Sequence, residues 1–151
     1  MKQTLIYKLT LVLLSILFAS NVTADTSPKF NLEDYEGKVI YLDFWASWCI
    51  PCRKSFPWMN RIQQKYGTDK LVVIAVNLDK KRSLAENFLL EYPANFKILY
   101  DPAGKLAKYY QIKGMPSSII FDQSGTPVAA HTGFFKDKVQ LYEQEISKLI
   151  R

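Results

Sequence analysis

A chain of 151 residues has room for one domain, and a hydrophobic content of 48% is enough to give that domain a buried core. The formal net charge of +6 is spread along the chain, with Lys80, Lys81 and Arg82 as its only run, so nucleic-acid binding has no compact basic patch to stand on. With two cysteines and one histidine, the chain also lacks a convincing ligand set for a structural zinc site.

In residues 1–24, Lys2 and Lys8 precede the apolar run Leu9 to Ala19, which gives way to the polar stretch Ser20 to Thr23 and to Ala24. This is the form of a secretory signal peptide. The run is shorter than the roughly 20 residues of a membrane-spanning helix, and Ala24 with Val22 two residues before it offers a cleavage site. Cleavage there leaves one domain over 25–151 and removes two lysines, lowering the net charge to +4. No cysteine stands at that site to carry a lipid, and an uncleaved anchor over Thr4 to Ala19 is the alternative.

The β-branched and aromatic run Val39 to Trp45 predicts a buried strand, and Leu71 to Val76 a second. Between them Phe56, Met59, Ile62 and Tyr66 recur at helical spacing, predicting a helix from Cys52 to about Tyr66 that Pro57 should kink. Ser83 and Glu86 have the spacing of a capping box, opening a helix to about Tyr92 with Leu84, Phe88 and Leu89 inward. A strand over Lys97 to Tyr100 ends at the turn Asp101-Pro102-Ala103-Gly104, and a short helix follows around Leu106 to Tyr110. Two strands, Ser117 to Asp122 and Thr126 to Thr132, are joined through Gln123-Ser124-Gly125. A last helix turns Val139, Leu141, Tyr142, Ile146, Leu149 and Ile150 to one face. This order predicts an α/β fold with a central mixed sheet flanked by helices on both faces.

Cys49 and Cys52 fall where a buried strand meets a helix. Unpaired N–H groups and a partial positive charge at a helix N-terminus stabilise a thiolate, so Cys49 is the expected nucleophile. Cys52, one turn in, should be more buried and placed to attack the mixed disulfide that Cys49 forms. Pro51 pre-sets the helix start without forfeiting a hydrogen bond. Haem attachment would need a histidine after Cys52, where Arg53 stands, and a structural disulfide would close too short a loop to stabilise much.

The segment Phe44-Trp45-Ala46-Ser47-Trp48-Cys49-Ile50-Pro51-Cys52-Arg53-Lys54 resembles the active-site segment of the TlpA/ResA-like periplasmic thioredoxins. Ala75 to Asp79, Gly114-Met115-Pro116-Ser117 and Phe121 to Gly125 resemble that family's second core strand, cis-proline loop and hairpin. Lys80 to Tyr100 resembles the helix-strand segment this subfamily inserts into the thioredoxin fold. The resemblance implies that Pro116 is a cis-proline facing the sulfurs, with the backbone of Met115 free to pair with an extended substrate. It also implies that Trp48, Ile50 and Pro51 form the substrate-facing rim, while Trp45 belongs to the core.

A carboxyl in an apolar strand is costly unless it is protonated, paired or useful. Asp43 matches the thioredoxin aspartate that handles the proton of the second cysteine, so it is the expected acid-base for Cys52, with its pKa raised by burial. The glutamate that TlpA-like proteins carry three residues after the second cysteine is Ser55 here, and the lysine that partners the aspartate in thioredoxins is Ala75. His131 reads as a surface residue near the end of an edge strand.

Ile50 gives Cys49 no charge of the kind a histidine there gives strong oxidases, so a protein-disulfide reductase is expected. No cofactor beyond the redox-active Cys49–Cys52 disulfide is expected, and no resident metal. The resemblance implies a periplasmic protein fed by a membrane thiol-disulfide transporter and acting on protein disulfides, apocytochrome c among them, and a monomer is expected. A disulfide-donating oxidase, a copper metallochaperone of the same fold, and a non-catalytic peptide-binding module are the rival readings.

Overall fold

The computed structural model describes residues 30–150, so the signal segment and its cleavage site lie outside the described residues. Five strands form one sheet in the order β3-β2-β1-β4-β5: β1 Val39–Trp45, β2 Leu71–Asn77, β3 Lys97–Tyr100, β4 Ser117–Phe121 and β5 Pro127–Thr132. The first three run parallel, and β4 and β5 are antiparallel additions, so the sheet is mixed. Three α-helices join the first four strands, α1 Cys52–Tyr66, α2 Arg82–Glu91 and α3 Lys105–Tyr109, and α4 Val139–Leu149 follows β5.

β1 and β2 are buried along their whole length, which is why both read as unbroken apolar runs rather than alternating ones. Alternate residues of β1 serve two cores. Tyr41 and Trp45 join Cys52, Phe56 and Met59 of α1, Ala85 and Phe88 of α2, and Tyr142 and Ile146 of α4. Ile40, Leu42 and Phe44 face the other way, onto Leu106 and Ala107 of α3 and onto Phe30 and Tyr35. Helices therefore cover both faces. α1 passes through Pro57 without a break. β3 pairs only with Ile74 to Asn77, and the Gln63 side chain completes the start of β2, donating to Leu71 O at 2.9 Å and accepting from Val73 N at 2.8 Å.

Three sequence expectations fail locally. No capping box forms: α2 opens at Arg82, Ser83 lies within it, and Glu86 instead pairs with Arg82 Nε at 3.0 Å. The Arg82 guanidinium also lies 4.0 Å from the Tyr100 ring centroid, and the N-cap falls at Lys81, two residues before Ser83. The helix turns Ala85 and Phe88 to the core and leaves Leu84 exposed. In α4 the core takes Tyr142 and Ile146, and Leu141 is turned outward.

The turn after β3 forms as its sequence suggests. The buried Asp101 carboxylate accepts from the N–H groups of Lys105, Leu106 and Ala107, capping α3, and Gly104 supplies the left-handed residue between them at φ +68°.

Candidate active site

β1 ends at Trp45, and the chain turns through Ala46 to Pro51 into α1. Cys49 N donates to Ala46 O at 3.0 Å, Cys52 N to Cys49 O at 3.1 Å, and Lys54 N to Pro51 O at 3.0 Å. Pro51 takes the N-cap position with helical backbone angles, so the missing N–H of proline falls where the helix has no partner for it. Cys49 and Cys52 are joined, S–S 2.02 Å with Cα atoms 5.4 Å apart. Cys52 is fully buried and Cys49 is 3% exposed, between Trp48 and Ile50 at 67% and 66%. Two large apolar side chains in water thus flank the sulfur closest to the surface.

The turn is held from below by an acid that the sequence reading did not single out. Asp79, just past β2, accepts from Ser47 N and Ser47 Oγ, both at 2.9 Å, and from Asn77 Nδ2 at 2.7 Å. Asn77 and Asp79 are both buried. A polar pair closing an apolar strand was the available signal, by the same cost that drew attention to Asp43. The partner Ser47 becomes evident only once parallel pairing sets Trp45 beside Asn77.

Asp43 lies on the β1 face shared with Tyr41 and Trp45, the face that packs α1. It is 1% exposed, its Oδ2 has no hydrogen-bond partner among the described residues, and burial holds its carboxyl well above the usual carboxylate pKa. Its neighbour in the parallel register is Ala75, so no cation stands across from it on β2. Burial likewise raises the Tyr41 phenol, with a further push from Asp43. Ser55 is buried, its hydroxyl donating to Cys52 O at 3.1 Å.

On the other side of β1, the Met115–Pro116 peptide is cis and leads directly into β4. Met115 packs against the cluster that contains both cysteines, and Pro116 is buried. Pro116 O accepts from Gly133 N at 2.7 Å, tying this loop to the connection after β5. Gly133 is required there: its φ is +82°, and a Cβ would meet the Phe135 ring at 2.9 Å. The expected site residues Cys49, Cys52, Trp48, Ile50, Pro51, Met115 and Pro116 thus gather around one end of β1, with Asp43 inside.

His131 is not the bare surface residue the sequence suggested. It stands in register with Ser118, itself opposite Asp43, and its ring lies near Ser118 Oγ at 3.4 Å, Glu145 Oε2 at 2.9 Å and the Tyr142 ring, centroids 4.8 Å apart. Among the described residues no three His, Cys, Asp or Glu side chains converge as metal ligands would. Nor are all the cations scattered: Arg53, Lys54, Arg61 and Lys136 meet around one groove.

The AhpC/TSA family model matches residues 18–129. The chain is similar to the thiol-disulfide oxidoreductase ResA of Bacillus thuringiensis subsp. konkukian, 31% identical over 127 residues that span 83% of this chain and 73% of that one. Among solved structures it is similar to a putative thiol:disulfide interchange protein DsbE from Chlorobium tepidum. That match has a TM-score of 0.76 at 47% identity, over 78% of this chain and 84% of the other. The pneumococcal exposed lipoprotein thioredoxin of Streptococcus pneumoniae matches at TM-score 0.67 and 33% identity, over 80% and 91%.

Proposed function

The chain belongs to the AhpC/TSA family, among the ResA-like thiol-disulfide oxidoreductases of thioredoxin fold, and on that premise we propose that it reduces disulfides of exported proteins in the periplasm. The observation that carries this reading is the placement of the pair: Cys49 lies just ahead of the α1 N-terminus between exposed side chains, and Cys52, expected one turn in, is instead the fully buried first residue of that helix.

The reduced protein attacks with the Cys49 thiolate, which the N-terminus of α1 stabilises. A Cys49–substrate disulfide forms, and the first substrate sulfur leaves as a thiolate. Cys52 gives its proton to the Asp43 carboxylate and attacks Cys49 Sγ, closing the disulfide and releasing the second substrate thiolate. Two electrons pass from the Cys49–Cys52 dithiol to the substrate. A donor dithiol reverses the sequence, and Asp43 returns the proton to Cys52. The cis Met115–Pro116 loop offers backbone beside the sulfurs for an extended substrate, and Trp48 and Ile50 offer apolar contact.

The absence of a charged residue between the cysteines, where Ile50 stands, supports reduction over oxidation. The signal-like segment over 1–24 supports export, with a membrane thiol-disulfide transporter as donor and protein disulfides, apocytochrome c included, as acceptors. The protein works as a monomer and needs no cofactor beyond its own disulfide.

A Cys52→Ser variant offered a disulfide-bonded protein should accumulate a covalent Cys49–substrate adduct, visible by mass on a non-reducing gel. Cys49→Ser should form none. Equal adducts in both variants would remove Cys49 from the role of nucleophile.

A further inference from the structure

The outer side of α1 opens onto a groove that the redox step leaves unused. It has a volume of about 490 Å³ and lies between α1 and the connection from β5 to α4. Trp58 and Phe134, ring centroids 5.5 Å apart, contribute apolar walls, and Arg53, Lys54, Arg61 and Lys136 surround it. All four cations are exposed, and none forms an ion pair among the described residues.

Among the described residues no acidic side chain lines this groove. The nearby Glu143 is committed elsewhere, accepting from Lys65 Nζ at 2.9 Å and from the Trp58 indole at 3.3 Å. Asp137 neighbours Lys136 in sequence but does not line the groove. Four positive side chains thus surround an apolar floor with no acidic lining among the described residues, and only Arg61 also feels a carboxylate, that of Glu143. Such a cleft focuses a positive field, and its complement is a ligand with carboxylates and an apolar body.

The groove continues the redox site on both sides. Arg53 and Lys54 directly follow Cys52, and on the opposite wall Phe134 follows Gly133, whose N–H is bonded to Pro116 O. A chain laid beside Met115 and Cys49 can run on between these walls. A lipid surface would meet cations on a convex face, whereas these surround a hollow.

Resting on the protein-disulfide role proposed for the site, we infer that this groove docks an acidic, extended segment of the substrate next to its disulfide. Carboxylates of that segment lie on Arg53, Lys54, Arg61 and Lys136, and one apolar side chain rests on Trp58 and Phe134. The groove therefore selects among exported disulfides by the charge of their flanks. The exchange chemistry itself does not need it.

The test uses the reduced protein and three peptides, each with one cysteine capped by 2-mercaptoethanol and flanked by Asp-Phe-Glu, Ser-Phe-Ser or Lys-Phe-Lys. Oxidation is followed by stopped-flow tryptophan fluorescence. The acidic peptide should react about tenfold faster than the neutral one and the basic peptide slower still, with the spread collapsing in about 0.5 M salt. Combining Lys54→Glu, Arg61→Glu and Lys136→Glu should invert the order while leaving oxidation by uncharged 2-hydroxyethyl disulfide unchanged. The corresponding triple glutamine variant, with less charge to repel, should abolish the spread. Equal rates for the three peptides in wild type would overturn the inference. So would binding to phosphatidylglycerol vesicles without peptide discrimination, which would assign the cations to a membrane surface. Failure of 2-hydroxyethyl disulfide to oxidise even the wild type would instead count against the redox role itself.

Discussion

The two sides of the Cys49–Cys52 disulfide are built on opposite terms. Outside, Trp48 and Ile50 stand about two-thirds exposed, apolar side chains that the fold leaves in water. Inside, Asp43 sits in the core with one carboxyl oxygen unpartnered among the described residues, as is the indole nitrogen of Trp45 two residues on. Each side carries the kind of group a stable core or surface normally avoids, in the place where thiol chemistry can use it. That division matches the proposed roles, contact with another chain at the rim and movement of a proton to and from Cys52 in the interior. Between them the turn is held rigid by Asp79, through hydrogen bonds that serve neither task directly.

Removing that brace should have the largest effect on the fold. Asp79→Ala leaves Ser47 N and Asn77 Nδ2 without their acceptor, and should cost about 3 kcal/mol in denaturant unfolding. Disturbing the interior alone should separate stability from catalysis. Asp43→Asn should slow release of the mixed disulfide by about 10²-fold in single-turnover assays, because it removes the base proposed for Cys52.

The same variant should be more stable than wild type at neutral pH. The folded carboxyl of Asp43 is raised by burial, so the stability it contributes is complete below its unfolded pKa of about 3.9 and is lost as pH climbs toward the folded value. The melting-temperature gap between Asn variant and wild type should therefore be small below about pH 4 and widen above it. A gap that shrinks with rising pH would mean that Asp43 is charged and stabilised in the fold.

The rim should give the smallest change. Trp48→Ala should leave unfolding within about 0.5 kcal/mol of wild type and raise KM for a protein disulfide a few-fold, with 2-hydroxyethyl disulfide unaffected. Equal losses on both substrates would place Trp48 in the chemistry rather than in recognition.

Much of this was legible in the chain because strands and motif are local. β1 and α1 are apolar runs with clear boundaries, and the cysteines mark their junction. Asp43 stood out because a lone carboxyl in such a run has to be explained. What escaped depends on register or on long-range approach. Ser47 and Asp79 are 32 residues apart and meet only through parallel pairing. Lys136 joins the cations of α1 only because the chain after β5 folds back beside that helix. At α2 the capping pattern at Ser83 and Glu86 was outweighed by Arg82, whose contacts with Glu86 and Tyr100 no local pattern displays.

The most direct test of the central claim is the reduction potential of the Cys49–Cys52 pair in the purified domain, equilibrated against glutathione and dithiothreitol buffers. A reductase should lie near or below the value of thioredoxin, about −270 mV. A potential near about −120 mV would contradict the account, making the protein a donor of disulfides instead.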